Sequence, residues 1–355
     1  MKATEFSQKV AQWYREHHRL LPWRETRDPY KIWLSEIILQ QTRVAQGLPY
    51  YRAFIRKYPN VKALAAASEQ EVLRLWQGLG YYTRARNLLA CARMIVDERG
   101  GRFPRTYHEL RQLKGIGDYT AAAIASFAFG EHVAVLDGNV FRVLARVFGL
   151  HDDVASTSGK KKFRELANSL VPAEDPATHN QAIMEFGALM CTPKSPSCQD
   201  CPIVRSCQAY RRGLQEELPV TRKPTAARHR YFHYLVFKRG NTVLMNQRVE
   251  SDIWRGLWDF PCWESDAPVH EAGIRRKVRS WIGKEGDLQI SREFRHILSH
   301  QIIHARFVEV ARDSRDALPK GAIFSKAKCC TLGKLKQLPK PVLVARFLEE
   351  LGLEG

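Results

Sequence analysis

Cys191, Cys198, Cys201 and Cys207 fall within 17 residues, in the spacing C-x6-C-x2-C-x5-C. Four thiolates that close in sequence can wrap one metal centre, either a zinc ion or a 4Fe–4S cluster. Zinc ribbons use two separate C-x2-C knuckles, and one such pair is present here. The other four cysteines, Cys91, Cys262, Cys329 and Cys330, read as small core or surface residues. A second chemical feature is the run Leu113-Lys114-Gly115-Ile116-Gly117-Asp118-Tyr119-Thr120-Ala121. Gly115 and Gly117 let the backbone turn tightly, so that amides and the start of the following helix can approach a phosphate. A lone G-x-G is a weak signal, since many turns carry one. A third is a pair of separated carboxylates, Glu36 in Trp33-Leu34-Ser35-Glu36-Ile37-Ile38-Leu39-Gln40-Gln41 and Asp137 in Leu136-Asp137-Gly138-Asn139-Val140. At helical spacing Glu36 neighbours Ile32, Trp33, Leu39 and Gln40. A carboxyl in that setting is held protonated and can donate its proton. The alternative for any single glutamate on an amphipathic helix is a solvated surface group. Lys194 and Arg205, within the cysteine loop, fit a phosphate contact or a solvated surface equally.

These residues need elements to hold them. Apolar residues at helical spacing predict helices over 29–42, 68–77, 81–99 and 160–170, with the N-terminus an amphipathic helix. Gly78, Gly80, Gly100, Gly101 and Pro104 punctuate them. The cysteines close this helical region at residue 207. Residues 208–230, polar and containing proline, read as a linker. From 231 the pattern turns to strands: 231–238 and 242–247 around a turn at Arg239-Gly240-Asn241, and 301–310. Helical stretches over 270–282 and 341–351 make this second region α+β. The expected organisation is therefore a helical domain over 1–207, a linker over 208–230 and an α+β domain over 231–355.

The chain of 355 residues carries 56 Lys and Arg against 37 Asp and Glu, a net charge of +19, which favours a polyanionic partner. No apolar stretch is long enough to span a bilayer, and no targeting leader is visible, so a cytoplasmic protein without a membrane partner is expected. Cysteines there seldom form disulfides, which again points the cluster of four to a metal.

The order of hairpin, helix and LDGNV segment, together with the cysteine spacing, resembles the endonuclease III superfamily of helix-hairpin-helix proteins. The likeness is greatest to its MutY-type adenine DNA glycosylases and covers nearly the whole chain. It is densest at Leu21-Pro22-Trp23-Arg24, residues 34–42, residues 78–87, the hairpin, LDGNV and the cysteines. The resemblance implies a mainly α helix-hairpin-helix glycosylase domain ending in a 4Fe–4S cluster loop, followed by a MutT-like (Nudix-fold) domain. It implies removal of adenine mispaired with 8-oxoguanine or guanine in double-stranded DNA, and one active site per chain makes a monomer the expected state. Glu36 would then protonate adenine at N7 and Asp137 would stabilise the oxocarbenium-like sugar, a division of labour familiar from glycoside hydrolysis. Tyr119 and Asn139 would support them. Arg19, Leu21, Trp23, Arg24, Leu39 and Gln181 resemble the adenine-pocket wall. Gln41 and Tyr81 match side chains that wedge into the duplex, and a wedge supports a stack from which a base has been flipped. Phe294 to His300 matches the 8-oxoguanine loop, where Leu298-Ser299-His300 stands for the usual Phe-Ser-His. Superfamily members that also nick the strand carry a lysine where this chain has Tyr119, so no lyase step is expected. The second domain lacks the glutamate-rich signature of active Nudix pyrophosphatases, so no nucleotide hydrolysis is expected there. A bifunctional lyase and a catalytically dead damage binder are the competing readings; Tyr119 opposes the first, Glu36 and Asp137 the second.

Overall fold

Asp28 ends an extended segment and accepts the amide of Tyr30, while Pro29 supplies a preset backbone angle, so a helix starts here over Pro29–Leu39. The same logic of caps recurs across the first half of this computed structural model, which describes residues 2–221, 226–283, 287–310 and 321–353. Asp137 caps Gly138–Phe148, Ser156 caps Thr157–Leu170 and Asp175 caps Pro176–Leu189. Helices Asp118–Phe129 and Gly138–Phe148 end at Gly130 and Gly149, both left-handed, a conformation that costs glycine least. Asp118–Phe129 is buried from Thr120 to Phe127 and rich in alanine, so it is the central helix on which neighbours pack closely. Helices Ala3–His17, Gly138–Phe148, Thr157–Leu170 and Pro176–Leu189 share a core built on Phe6, Val10, Leu144, Phe163 and Phe186.

The chain divides into two compact units, Met1–Ala66 with Asn87–Lys223, and Ala67–Arg86 with Pro224–Gly355. This departs from the boundaries expected from composition in two places. The segment read as a linker from 208 begins as a helix, Gln208–Arg212, and Ala209 and Leu218 are fully buried in the core of the first unit. Three apolar anchors, Ala209, Leu214 and Leu218, outweigh the polar residues between them. Residues 222–225 of that segment lie outside the described residues, and the first strand begins at Arg228. Residues 67–86 belong with the second unit because Gln70 donates to the Gly256 carbonyl at 3.0 Å and accepts from the Trp258 indole at 2.9 Å. Arg86 reaches the Arg255 carbonyl at 2.6 Å, and Gln77 accepts the Lys340 amide at 3.0 Å.

The second unit is built on a mixed sheet. Its long central strands, Arg228–Arg239 and Gln301–Val310, run parallel, with Tyr231 opposite His304. Thr242–Gln247 turns back on the first strand in a tight hairpin. Cys262–Ser265 also pairs with that strand, antiparallel. Helix Glu271–Ile282 covers one face through Ile274, Val278 and Ile282. Helix Val342–Glu350 brings Phe347 flat against Phe307, with ring centroids 3.9 Å apart.

Candidate active site

Glu36 lies on helix Pro29–Leu39, on a turn where every residue from Ile32 to Ile38 is buried. The residue is 6% exposed, and its carboxyl accepts a 2.6 Å hydrogen bond from the Tyr119 hydroxyl. Burial pushes its pKa up to about 7, helped by the nearby Asp137 charge and opposed by the Tyr119 bond and the Arg24 guanidinium. Tyr119 sits there because the hairpin ends at Gly117 and the central helix starts one residue before it. Asp137 faces the same cavity from the start of helix Gly138–Phe148. One oxygen accepts the Val140 amide at 2.7 Å and the other the Asn139 side chain at 2.7 Å. Burial raises the Asp137 pKa, while these amides hold it down.

The cavity measures about 700 Å³ and is lined wholly from the first unit. Glu36, Tyr119, Asp137 and Asn139 line it, as do Arg19, Leu21, Trp23, Arg24, Leu39 and Gln181. All ten residues proposed from the sequence for catalysis and base binding therefore meet at one place. Leu21 and Trp23 are buried, with Trp23 edge-on to Tyr51.

Two residues of the site escaped sequence reasoning. Glu185, one helical turn after Gln181, is 1% exposed and accepts Arg19 and Arg24 together, at 2.6 Å and 2.7 Å. Burial would raise its pKa, but the two guanidiniums win and bring it down to about 2. Arg142 donates to Asn139 at 2.8 Å, to the Gly187 carbonyl at 2.7 Å and to the Cys191 carbonyl at 2.8 Å. It thus links the partner of Asp137 to the cysteine loop. The helical spacings 139/142 and 181/185 were the available signals, but charged residues at such spacings are common on solvated faces.

Cys191, Cys198, Cys201 and Cys207 line one cavity in the first unit. Buried Arg146 closes it: Nη1 lies 3.4 Å from the Cys191 sulfur and also donates to the Thr192 carbonyl, while Nη2 and Nε donate to the carbonyls of Pro193 and Leu218. Among the described residues no group of three or more His, Cys, Asp or Glu side chains forms a ready site for a single metal ion.

Of the two hairpin glycines, Gly115 is left-handed and Gly117 is in extended backbone. Gly115 has φ +78°, and a β-carbon there would stand 2.7 Å from that of Asn87. Gly117 caps the central helix without a side-chain bond, and the space beside it is open. Gln41 and Tyr81 adopt φ of 54° and 48°, a left-handed conformation that among the described non-glycine residues only Ser195 shares. Such strain persists only where surrounding structure enforces it, and it gathers at functional positions. Tyr81 is 42% exposed and directly follows a turn with Gly78 and Gly80 at positive φ. In the second unit Leu298, Ser299 and His300 form the turn between strands Phe294–Ile297 and Gln301–Val310, with Ser299 and His300 exposed.

Comparison with known proteins gives these arrangements a context. Residues 34–173 match the family described as HhH-GPD superfamily base excision DNA repair protein, and residues 232–350 match the NUDIX domain. The human adenine DNA glycosylase is 36% identical over 340 residues, which cover 79% of this chain and 62% of that protein. The chain therefore spans less than two thirds of the human relative's length. The mouse adenine DNA glycosylase is 35% identical over 380 residues, covering 90% of this chain and 73% of its own. That of Buchnera aphidicola subsp. Schizaphis graminum is 33% identical, covering 84% and 85%. Among solved structures, a thermostable thymine-DNA glycosylase superposes with a TM-score of 0.55 at 31% identity, over 59% of this chain and 97% of that one. Endonuclease III trapped on DNA gives 0.52 at 23% identity, over 60% and 99%, a likeness of fold alone. Matched to the mouse and Buchnera proteins over most of their lengths, the chain belongs to the adenine DNA glycosylase family.

Proposed function

We propose that this protein removes adenine paired with 8-oxoguanine, or with guanine, from double-stranded DNA, by hydrolysis and without cutting the strand. The observation that carries this reading is Glu36. It is a carboxyl buried in a large cavity, raised to about 7 and held by Tyr119 beside Asp137. Such a group keeps its proton near neutral pH and can deliver it to a leaving base. The adenine base enters the cavity against Leu21, Trp23 and Leu39, with Arg19, Arg24 and Gln181 as its polar wall. As the bond between C1′ and N9 breaks, its electron pair leaves with adenine and Glu36 protonates N7. Asp137 faces the positive sugar, with Asn139 and the Val140 amide fixing its orientation. Water adds to C1′ and passes a proton to the Glu36 carboxylate, which restores the acid and leaves an abasic site. Tyr119 carries no amine, so no Schiff base forms and the strand stays whole.

Outside the pocket, the amides at Gly115 and Gly117 would hold a phosphate, and Gln41 and Tyr81 would support the stack from which adenine is withdrawn. Ser299 and His300, on an exposed turn, would read 8-oxoguanine, with Leu298 supplying an aliphatic contact. The four cysteines fit a 4Fe–4S cluster by their spacing, their convergence on one cavity and the buried Arg146 that offers N–H groups to the loop. Bound there, the cluster would keep the loop after Gly187 folded. The enzyme is proposed to act in the cytoplasm as a monomer, consistent with a cavity lined by one unit of one chain. No helix among the described residues is long and apolar enough to cross a membrane.

Single-turnover assay on a duplex with one adenine·8-oxoguanine pair, with and without alkali, tests the reaction. Cleavage that appears only after alkali is expected; nicking without alkali, or intact DNA after it, would refute the reading. Ser299→Ala with His300→Ala should narrow the preference for 8-oxoguanine over guanine and spare excision opposite guanine. The purified protein should contain about four irons per chain; stoichiometric zinc without iron would remove the cluster from this account.

A further inference from the structure

The polar wall of the cavity has one feature that the assignment of pocket residues leaves open, namely which face of the Gln181 amide meets the base. Gln181 and Glu185 stand one turn apart on helix Pro176–Leu189 and both line the cavity. Glu185 has no acceptor capacity left for a ligand. It takes the Arg19 backbone amide at 3.0 Å, the Arg19 guanidinium at 2.8 and 2.6 Å, and the Arg24 guanidinium at 2.9 and 2.7 Å. A carboxylate offers about four lone-pair directions, and five bonds occupy them. The remaining candidate acceptor on this stretch of wall is the Gln181 carbonyl oxygen. That oxygen is held from behind by Tyr14, whose hydroxyl donates to it at 2.8 Å. Tyr14 lies on helix Ala3–His17 and is 7% exposed. Burial raises its phenol above the usual range, so it stays protonated and remains a donor. The His18 ring stacks on it with centroids 4.7 Å apart, and the Arg24 guanidinium lies 5.7 Å from its ring centre.

We infer that Tyr14 is a positioning residue that fixes the Gln181 amide so that only its N–H groups face the bound base, making this wall a set of donors. The inference deepens the adenine-pocket reading above and rests on it. A donor set against N1 suits adenine, whose N1 is a bare acceptor. It opposes a purine that carries N–H at that edge, as hypoxanthine does at N1. A glutamine free to turn over would present its oxygen and accept that N–H instead. An amide turns over at little cost in shape, so the second partner of the amide sets the specificity.

The test is Tyr14→Phe, which keeps the ring and removes the one hydroxyl. Single-turnover excision is measured for adenine and for hypoxanthine, each opposite 8-oxoguanine, in wild type, Tyr14→Phe, Gln181→Leu and the double variant. Loss of one buried neutral hydrogen bond is expected to slow adenine about 5- to 10-fold. Hypoxanthine should slow less or speed up, so that the ratio of the two rates narrows. The double variant should be no slower on adenine than Gln181→Leu alone, since Tyr14 acts through that amide. An unchanged ratio in Tyr14→Phe, or slowing that multiplies with Gln181→Leu, would overturn the inference. Equal slowing of both substrates would also overturn it, because a purely structural defect acts that way. Failure of the wild type to release adenine would instead overturn the pocket reading itself.

Discussion

Two carboxyls that line the same cavity owe their different surroundings to local backbone. Asp137 is a helix cap, so backbone amides solvate it, whereas Glu36 sits mid-helix among apolar residues with one hydroxyl as its partner. Glu36 works as an acid only while protonated. With a pKa of about 7, excision of adenine should be level at lower pH and fall as pH rises through 7; Glu36→Gln should lose about 10²–10⁴-fold or more. Single-turnover rates across pH check both. The same shift carries a stability cost with a definite sign. Between 4.5 and about 7 the folded state keeps a proton that the unfolded chain has shed, so stability declines as pH rises through that window. Glutamine has no proton to lose. Glu36→Gln should therefore be more stable than wild type at pH 8, by up to about 3 kcal/mol of unfolding free energy, and match it near pH 4.5. A variant that is inactive and no more stable at pH 8 would show that Glu36 is not held protonated by burial.

At the level of elements, the site is where helix ends and helix faces converge, and this sets what could be read in advance. The hairpin, the helix bearing Glu36 and the long strands were legible because glycine pairs, caps and apolar periodicity act over a few residues. Glu185 and Arg142 were not, since their roles depend on which helices become neighbours. Polarity also misled the reading of residues 208–221, where Leu218 anchors the segment despite its surroundings. Close approach of helices Gly138–Phe148 and Pro176–Leu189 is another such fact. It depends on Gly187, where a β-carbon would lie 2.6 Å from the Asn139 β-carbon and 3.0 Å from the Asn139 carbonyl oxygen. Gly187→Ala must push Asn139 aside, and with it the bond to Asp137 and the Arg142 bridge. It should cost about 1–3 kcal/mol of stability and slow excision well beyond what that loss explains at a temperature where the variant is folded. Thermal melts paired with single-turnover rates measure the two separately. Wild-type rates in a folded Gly187→Ala would mean that the packing behind Asp137 tolerates movement.

Across the whole molecule, each of the two units buries a histidine that must stay neutral. His179 in the first unit packs on Phe6 and is 4% exposed; its Nδ1 has no hydrogen-bond partner. His233 in the second stacks on Trp263, with Arg306 nearby adding to the penalty on its charged form. Burial lowers both from 6.5 to about 4. Above 6.5 the ring is neutral folded or unfolded and costs nothing. As pH falls from 6.5 toward 4 the unfolded chain takes up protons that the folded one refuses, so stability is lost over that window. Each histidine can account for about 3 kcal/mol of that loss. Because the two lie in different units, the acid sensitivities should separate by mutation. His179→Leu should flatten the decline between pH 6.5 and 4.5 for the helical unit, followed by the fluorescence of Trp13, which packs in the same core. It should leave the decline of the second unit, reported by Trp263 beside His233, as steep as in wild type. Denaturant titrations at several pH values, read through single-tryptophan variants, resolve the two curves. Equal flattening of both would show that the units unfold as one, whatever their separate cores suggest.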